Sequence, residues 1–155
     1  VEKIYQISDL MSPTQIASFH ASFAFIIFLL GRFLGTYLMG KIASNKVLGV
    51  YAIGSVISVI IAMFGGGLAA LIALIAVYFF QSIMFPTIFA LSCKGLGEGK
   101  KLASSLIIMS IVGGAIIPPL TASLFKVSTV AALSIPLVCF TYIIYYAYKG
   151  YEIKD

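Results

Sequence analysis

Of the 155 residues, 61% are hydrophobic and only 10% are charged, with a mean hydropathy of +1.12. Water-soluble domains carry about a quarter charged residues, so this composition excludes that class and describes an all-α integral membrane protein. The net charge of +5 comes from lysines spread over separate loops, with no basic aromatic surface to hold bases, and gives no support to a nucleic-acid partner.

A helix needs roughly 20 apolar residues to cross a hydrocarbon core of about 30 Å. Five such runs follow one another: Gln15 to Met39, Val47 to Phe64, Leu68 to Ser92, Leu102 to Phe125 and Thr129 to Tyr148. Barrel strands would be about half as long and would alternate, so the spans are expected to be helices. The domain reading is an extracytoplasmic segment over 1–14, a five-helix membrane domain over 15–148 and a cytoplasmic tail over 149–155.

The first run ends in "GRFLGTYLMGK". Gly31 and Gly35 have the GxxxG spacing that lets two backbones approach closely. Arg32 lies about two turns inside the end of the run, where it either snorkels to lipid phosphate or contacts a loop or helix end at a cytoplasmic gate. The third run carries Tyr78, Gln81 or Ser82, Phe85, Phe89 and Ser92 at helical spacing, hence on one face. Aromatic planes, a carboxamide and hydroxyls on one face suit a neutral sugar; the same side chains also serve as bridges between helices. Pro86 lies within this run and clashes with the carbonyl one turn earlier, that of Ser82, so a kink satisfied inside protein is expected. The fourth run combines the Gly113/Gly114 pair with Pro118 and Pro119. A close-packed glycine face and a bend near the prolines follow, as in the interrupted helices on which transporters rock, although a static bundle uses the same residues.

Eight basic residues fall at alternate boundaries of the runs, Lys41, Lys46, Lys94, Lys100, Lys101, Lys149, Lys154 and the nearby Arg32, against Lys3 and Lys126 on the other side. This bias puts the N-terminus outside and the C-terminus in the cytoplasm. All five acids, Glu2, Asp9, Glu98, Glu152 and Asp155, lie in tails or loops. Proton coupling usually needs a buried carboxyl, so a coupling acid would have to lie in another segment. Cys93 and Cys139 are expected to be unpaired thiols, and His20 is the only histidine. No metal-ligand spacing and no nucleophile/base pair occurs in the spans; metal, cofactor and enzymatic activity are not expected. Val1 to Pro13 lacks the pattern of a cleavable leader, and a chain that begins with valine and has an odd helix number reads as a piece of a longer protein.

In order and spacing, "GRFLGTYLMGKIASNKVL", "QSIMFPTIFALSCKGLGEGKKLASSLIIMSIVGGAIIPPL" and the last apolar helix resemble the C-terminal part of the fucose:proton symporter family, which includes glucose/galactose permeases, in the major facilitator superfamily. The resemblance covers Gly31 to the C-terminus. It implies the last five of twelve helices, a multi-pass protein of the bacterial inner membrane, and a monosaccharide and protons as partners. It also implies a missing N-terminal half that holds the coupling carboxylates. In fucose-transporting members a tyrosine facing the cavity precedes the Pro-Thr-Ile-Phe run; here the position is Phe85, which implies a cavity residue without the hydroxyl. Arg32 matches the family's basic residue at the cytoplasmic loop, implying gate packing. The expected substrate-binding residues are Gln81, Phe85, Ser82 and Tyr78; the gating or structural ones are Arg32, Gly31, Gly35, Pro86, Gly113 and Gly114. Another transporter of the superfamily, such as a drug exporter, and a non-transporting scaffold or truncated gene product are the alternatives.

Overall fold

The computed structural model describes residues 13–150; the expected tails, 1–14 and 149–155, fall largely outside them. Seven α-helices make five membrane-length spans, and no strand occurs among the described residues. The first span is α1 (Pro13–Met39), the second α2 (Ser44–Phe64), and the third is divided into α3 (Leu68–Gln81) and α4 (Met84–Ser92). The fourth is divided into α5 (Lys100–Met109) and α6 (Gly113–Phe125), and the fifth is α7 (Thr129–Tyr145) closed by a π-turn, Tyr146–Gly150. Each helix begins within a few residues of its apolar run. The first starts earlier than expected, at Pro13, because proline is well suited to a first helical position, where its missing N–H costs nothing.

The second span is the hub. Leu48, Tyr51, Ala52, Ser55, Ser58, Val59 and Ala62 recur three or four residues apart and are all buried. Most are small, which lets α3 settle on one side of α2 and α7 on the other. Two glycines of α2 seat aromatic rings: a Cβ at Gly54 would lie 2.6 Å from the Phe80 ring, and one at Gly49 would lie 2.9 Å from Tyr148. Lipid tails are as apolar as these side chains, so the fit is held by van der Waals contact rather than by exclusion of water.

The fourth span differs from expectation in two respects. Its winding changes over Ser110–Val112, which is 3₁₀, while α6 runs through Pro118 and Pro119. The tighter turn directly precedes Gly113 and Gly114, the two residues with the highest intrinsic helix cost on this span apart from proline. Nor do these glycines form a close-packed face, since nothing lies within 4 Å of where either Cβ would be. Neither α5, α6 nor the turn between them has a buried residue.

Candidate functional site along the first and third spans

The interruption of the third span is at Ser82 and Ile83, one turn ahead of Pro86. Pro86 offers no N–H to the Ser82 carbonyl, so the helix stops there and restarts with Pro86 in the first turn of α4, where a missing donor is tolerated. Hydroxyls complete the carbonyls at the break. Ser82 Oγ donates to the Phe79 carbonyl at 2.7 Å, and Thr87 Oγ1 donates to the Ile83 carbonyl at 2.7 Å, beside a backbone bond from Thr87 to the same oxygen at 3.1 Å. In a membrane such local partners replace the water that a soluble loop would use.

The first span is pressed against this break by its glycines. A Cβ at Gly31 would lie 2.4 Å from the Phe79 carbonyl oxygen and 2.8 Å from Ser82 Oγ; one at Gly35 would lie 2.5 Å from Ile83 Cγ2. No side chain fits at either place, and the GxxxG spacing puts both glycines on the same face of α1. Behind them, Tyr51 from α2 stacks on Phe79 with ring centroids 5.8 Å apart and meets Phe80 edge-on at 5.8 Å.

Three hollows follow the seam between α1 and the third span. The outer one is lined by Ala21, Ala24, Phe25, Phe28, Tyr78 and Gln81. The middle one, about 460 Å³, crosses the front of the break and includes Arg32, Gln81, Ser82, Phe85 and Pro86, with Phe140 and Ile143 of α7 at its far wall. The inner one joins Arg32 and Pro86 to Thr36, Ser44 and Thr87. Gln81 belongs to the outer and middle hollows, and Arg32 to the middle and inner ones.

The expected sugar face is therefore only partly assembled as the sequence spacing suggested. Gln81, half-buried, and Phe85, 49% exposed, open onto the same hollow, while Tyr78 reaches only the outer one. Phe85 and Phe89 hold their rings 6.4 Å apart, a continuous aromatic surface on α4. Ser82 is 2% exposed and its proton is committed to the Phe79 carbonyl, so it has no free donor to offer. Ser92 leaves the face altogether and hydrogen-bonds Tyr146 of the π-turn. Arg32, expected either to snorkel to lipid phosphate or to pack at a cytoplasmic gate, is exposed and lines both the middle hollow, with Phe85 and Gln81, and the inner one. Helical spacing in α1 could have signalled this, because Arg32 lies one turn from Phe28, which shares the hollow. Among the described residues, no group of His, Cys, Asp or Glu could hold a metal ion.

No family model matches the chain. Its relatives are nevertheless clear. Over 133 residues it is 47% identical to a Helicobacter pylori protein provisionally named a glucose/galactose transporter, covering 82% of this chain and 33% of that protein. It is 38% identical to the L-fucose-proton symporter of Escherichia coli over 140 residues, 87% of this chain and 32% of the symporter. A crystal structure of the Escherichia coli fucose:proton symporter superposes with a TM-score of 0.86 at 34% identity, over 94% of this chain and 36% of the symporter. A second structure, described as a major facilitator superfamily transporter in the outward conformation, gives 0.84 at the same identity, over 94% of this chain and 35% of that one. The five spans thus have the fold of a major facilitator transporter segment. Within that superfamily, the sequence and fold are those of the fucose:proton symporter family. The chain spans about a third of the length of the curated relatives it matches.

Proposed function

We propose that this chain supplies part of the C-terminal wall of a monosaccharide transporter, working by alternating access together with the rest of a longer protein. The observation that carries the reading is the middle hollow, where a carboxamide, an exposed aromatic ring and a guanidinium meet at a broken helix. Gln81 can both donate to and accept from sugar hydroxyls, Phe85 offers a flat surface for C–H bonds, and Arg32 adds donors without an acceptor. Phe85 brings no hydroxyl of its own, so the sugar's hydroxyls are read by Gln81, Arg32 and the facing half.

Coupling to protons, which the name of the Escherichia coli relative states for that protein, requires a titratable acid near the path. The only acid between residues 13 and 150 is Glu98, in the short 3₁₀ turn between the third and fourth spans. The coupling carboxylates therefore belong to the two thirds of the relatives' length that this chain does not span. The positive-inside bias supports an N-terminus outside and residues 149–155 in the cytoplasm, and the bacterial relatives support residence in a bacterial inner membrane.

Calorimetric titration of the purified full-length protein with fucose, glucose and galactose tests the reading. One of these sugars binds, and Phe85→Ala weakens it at least fivefold, the loss of one aromatic contact of about 1 kcal/mol. Absence of binding by all three sugars, or binding indifferent to Phe85→Ala, refutes it.

A further inference from the structure

Tyr51 lines none of the three hollows, yet it touches both helices that form the seam. It lies on α2 and is only 3% exposed. Its Oη donates to the Gly31 carbonyl at 3.3 Å and is 3.2 Å from the place a Cβ on Gly35 would take. Its ring stacks on Phe79, whose carbonyl accepts the Ser82 hydroxyl at the break. A single side chain thus holds the GxxxG face of α1 and the last turn of α3 from behind. Arg32 follows Gly31 in the chain, so the direction in which its side chain leaves α1 is set by the peptide that Tyr51 grips.

We propose that Tyr51 is a positioning residue: by holding the Gly31 carbonyl and Phe79 together, it fixes the rotation of α1 that delivers Arg32 to the hollow shared with Gln81 and Phe85. A phenylalanine keeps the stacking and loses only the reach to the carbonyl. The hydroxyl is therefore the part of Tyr51 that sets rotation, and the ring is the part that packs. The role in sugar binding rests on the transporter reading above; the orientation of Arg32 does not.

The test uses the full-length protein with Tyr51→Phe, in two measurements. Saturation kinetics of monosaccharide uptake in proteoliposomes are expected to give a KM raised about three- to tenfold with kcat unchanged, the scale of one buried hydrogen bond. Separately, Arg32→Cys is introduced in a chain whose Cys93 and Cys139 are replaced by serine, and its labelling by an impermeant thiol reagent is timed. Tyr51→Phe is expected to change that rate at least threefold. An unchanged rate overturns the positioning of residue 32. An unchanged KM, with a lowered melting temperature or membrane level, reduces Tyr51 to packing. If the parent protein takes up no monosaccharide, the functional reading fails and the labelling rate alone decides the role of Tyr51.

Discussion

Gln81, like Phe28, lines two neighbouring hollows, and it stands at the last position of α3 before the helix stops. On the proposed reading, Gln81→Ala in the full-length protein removes hydrogen bonds to the sugar. Half-saturation should rise about five- to tenfold while insertion is unchanged, and an unaltered value would assign Gln81 to helix packing. Gly31→Ala makes a different prediction, because the new methyl meets a backbone carbonyl that cannot swing away. A loss of about 1–3 kcal/mol is expected in thermal or denaturant unfolding, and retention of stability would mean the two spans are less closely apposed. Ser55 offers the opposite case: its hydroxyl is fully buried on α2 and has no hydrogen-bond partner among the described residues. Ser55→Ala should leave stability equal or raise it by up to about 2 kcal/mol, and a clear loss would reveal a hidden partner. At this scale the close approach at the GxxxG pair was legible from spacing, which also put Gln81 or Ser82 on one face with Phe85. The Ser82 bond to the Phe79 carbonyl is the local contact one turn back that Ser123 and Ser134 also make inside unbroken helices. The sequence could not announce the partner of Ser92, because the Tyr146 hydroxyl reaches it only once the fifth span folds back.

The division of the third span links element to mechanism. Its first piece, α3, packs on both α1 and α2, whereas the second, α4, packs chiefly on α2. A segment held unequally on its two sides of a break is suited to move on one side. Pro86→Ala returns an N–H to the Ser82 carbonyl and favours a continuous helix. We expect turnover to slow several-fold with little change in sugar affinity; equal exchange rates in both forms would remove the break from the transport cycle. The position of the break was legible in the sequence, since a proline disturbs the carbonyl four residues before it. Pro118 and Pro119 invited the same argument and the structure answered differently, with the irregularity at Ser110–Val112. The first case has the glycines of α1 pressed against the interruption. The second has no neighbour there, so the glycine pair and local winding decide.

For the whole molecule, the informative contrast is between the second span, with 50% of its most apolar stretch buried, and the fourth, with 0%. Apolar length was enough to recover the number and helical nature of the spans, because the bilayer fixes length and forbids unpaired backbone. Which spans pack on one another was not legible, since a lipid-facing side chain and a protein-facing one are equally apolar. The bare face of the fourth span is consistent with a chain that spans about a third of its relatives' length. Transport is proposed of the longer protein, and uptake measures it most directly. Vesicles containing the full-length protein, given a proton gradient and labelled fucose, glucose or galactose, should accumulate one of the three, with accumulation abolished by dissipating the gradient and weakened by Gln81→Ala. Background uptake of all three sugars, with cationic dyes exported instead, would contradict it.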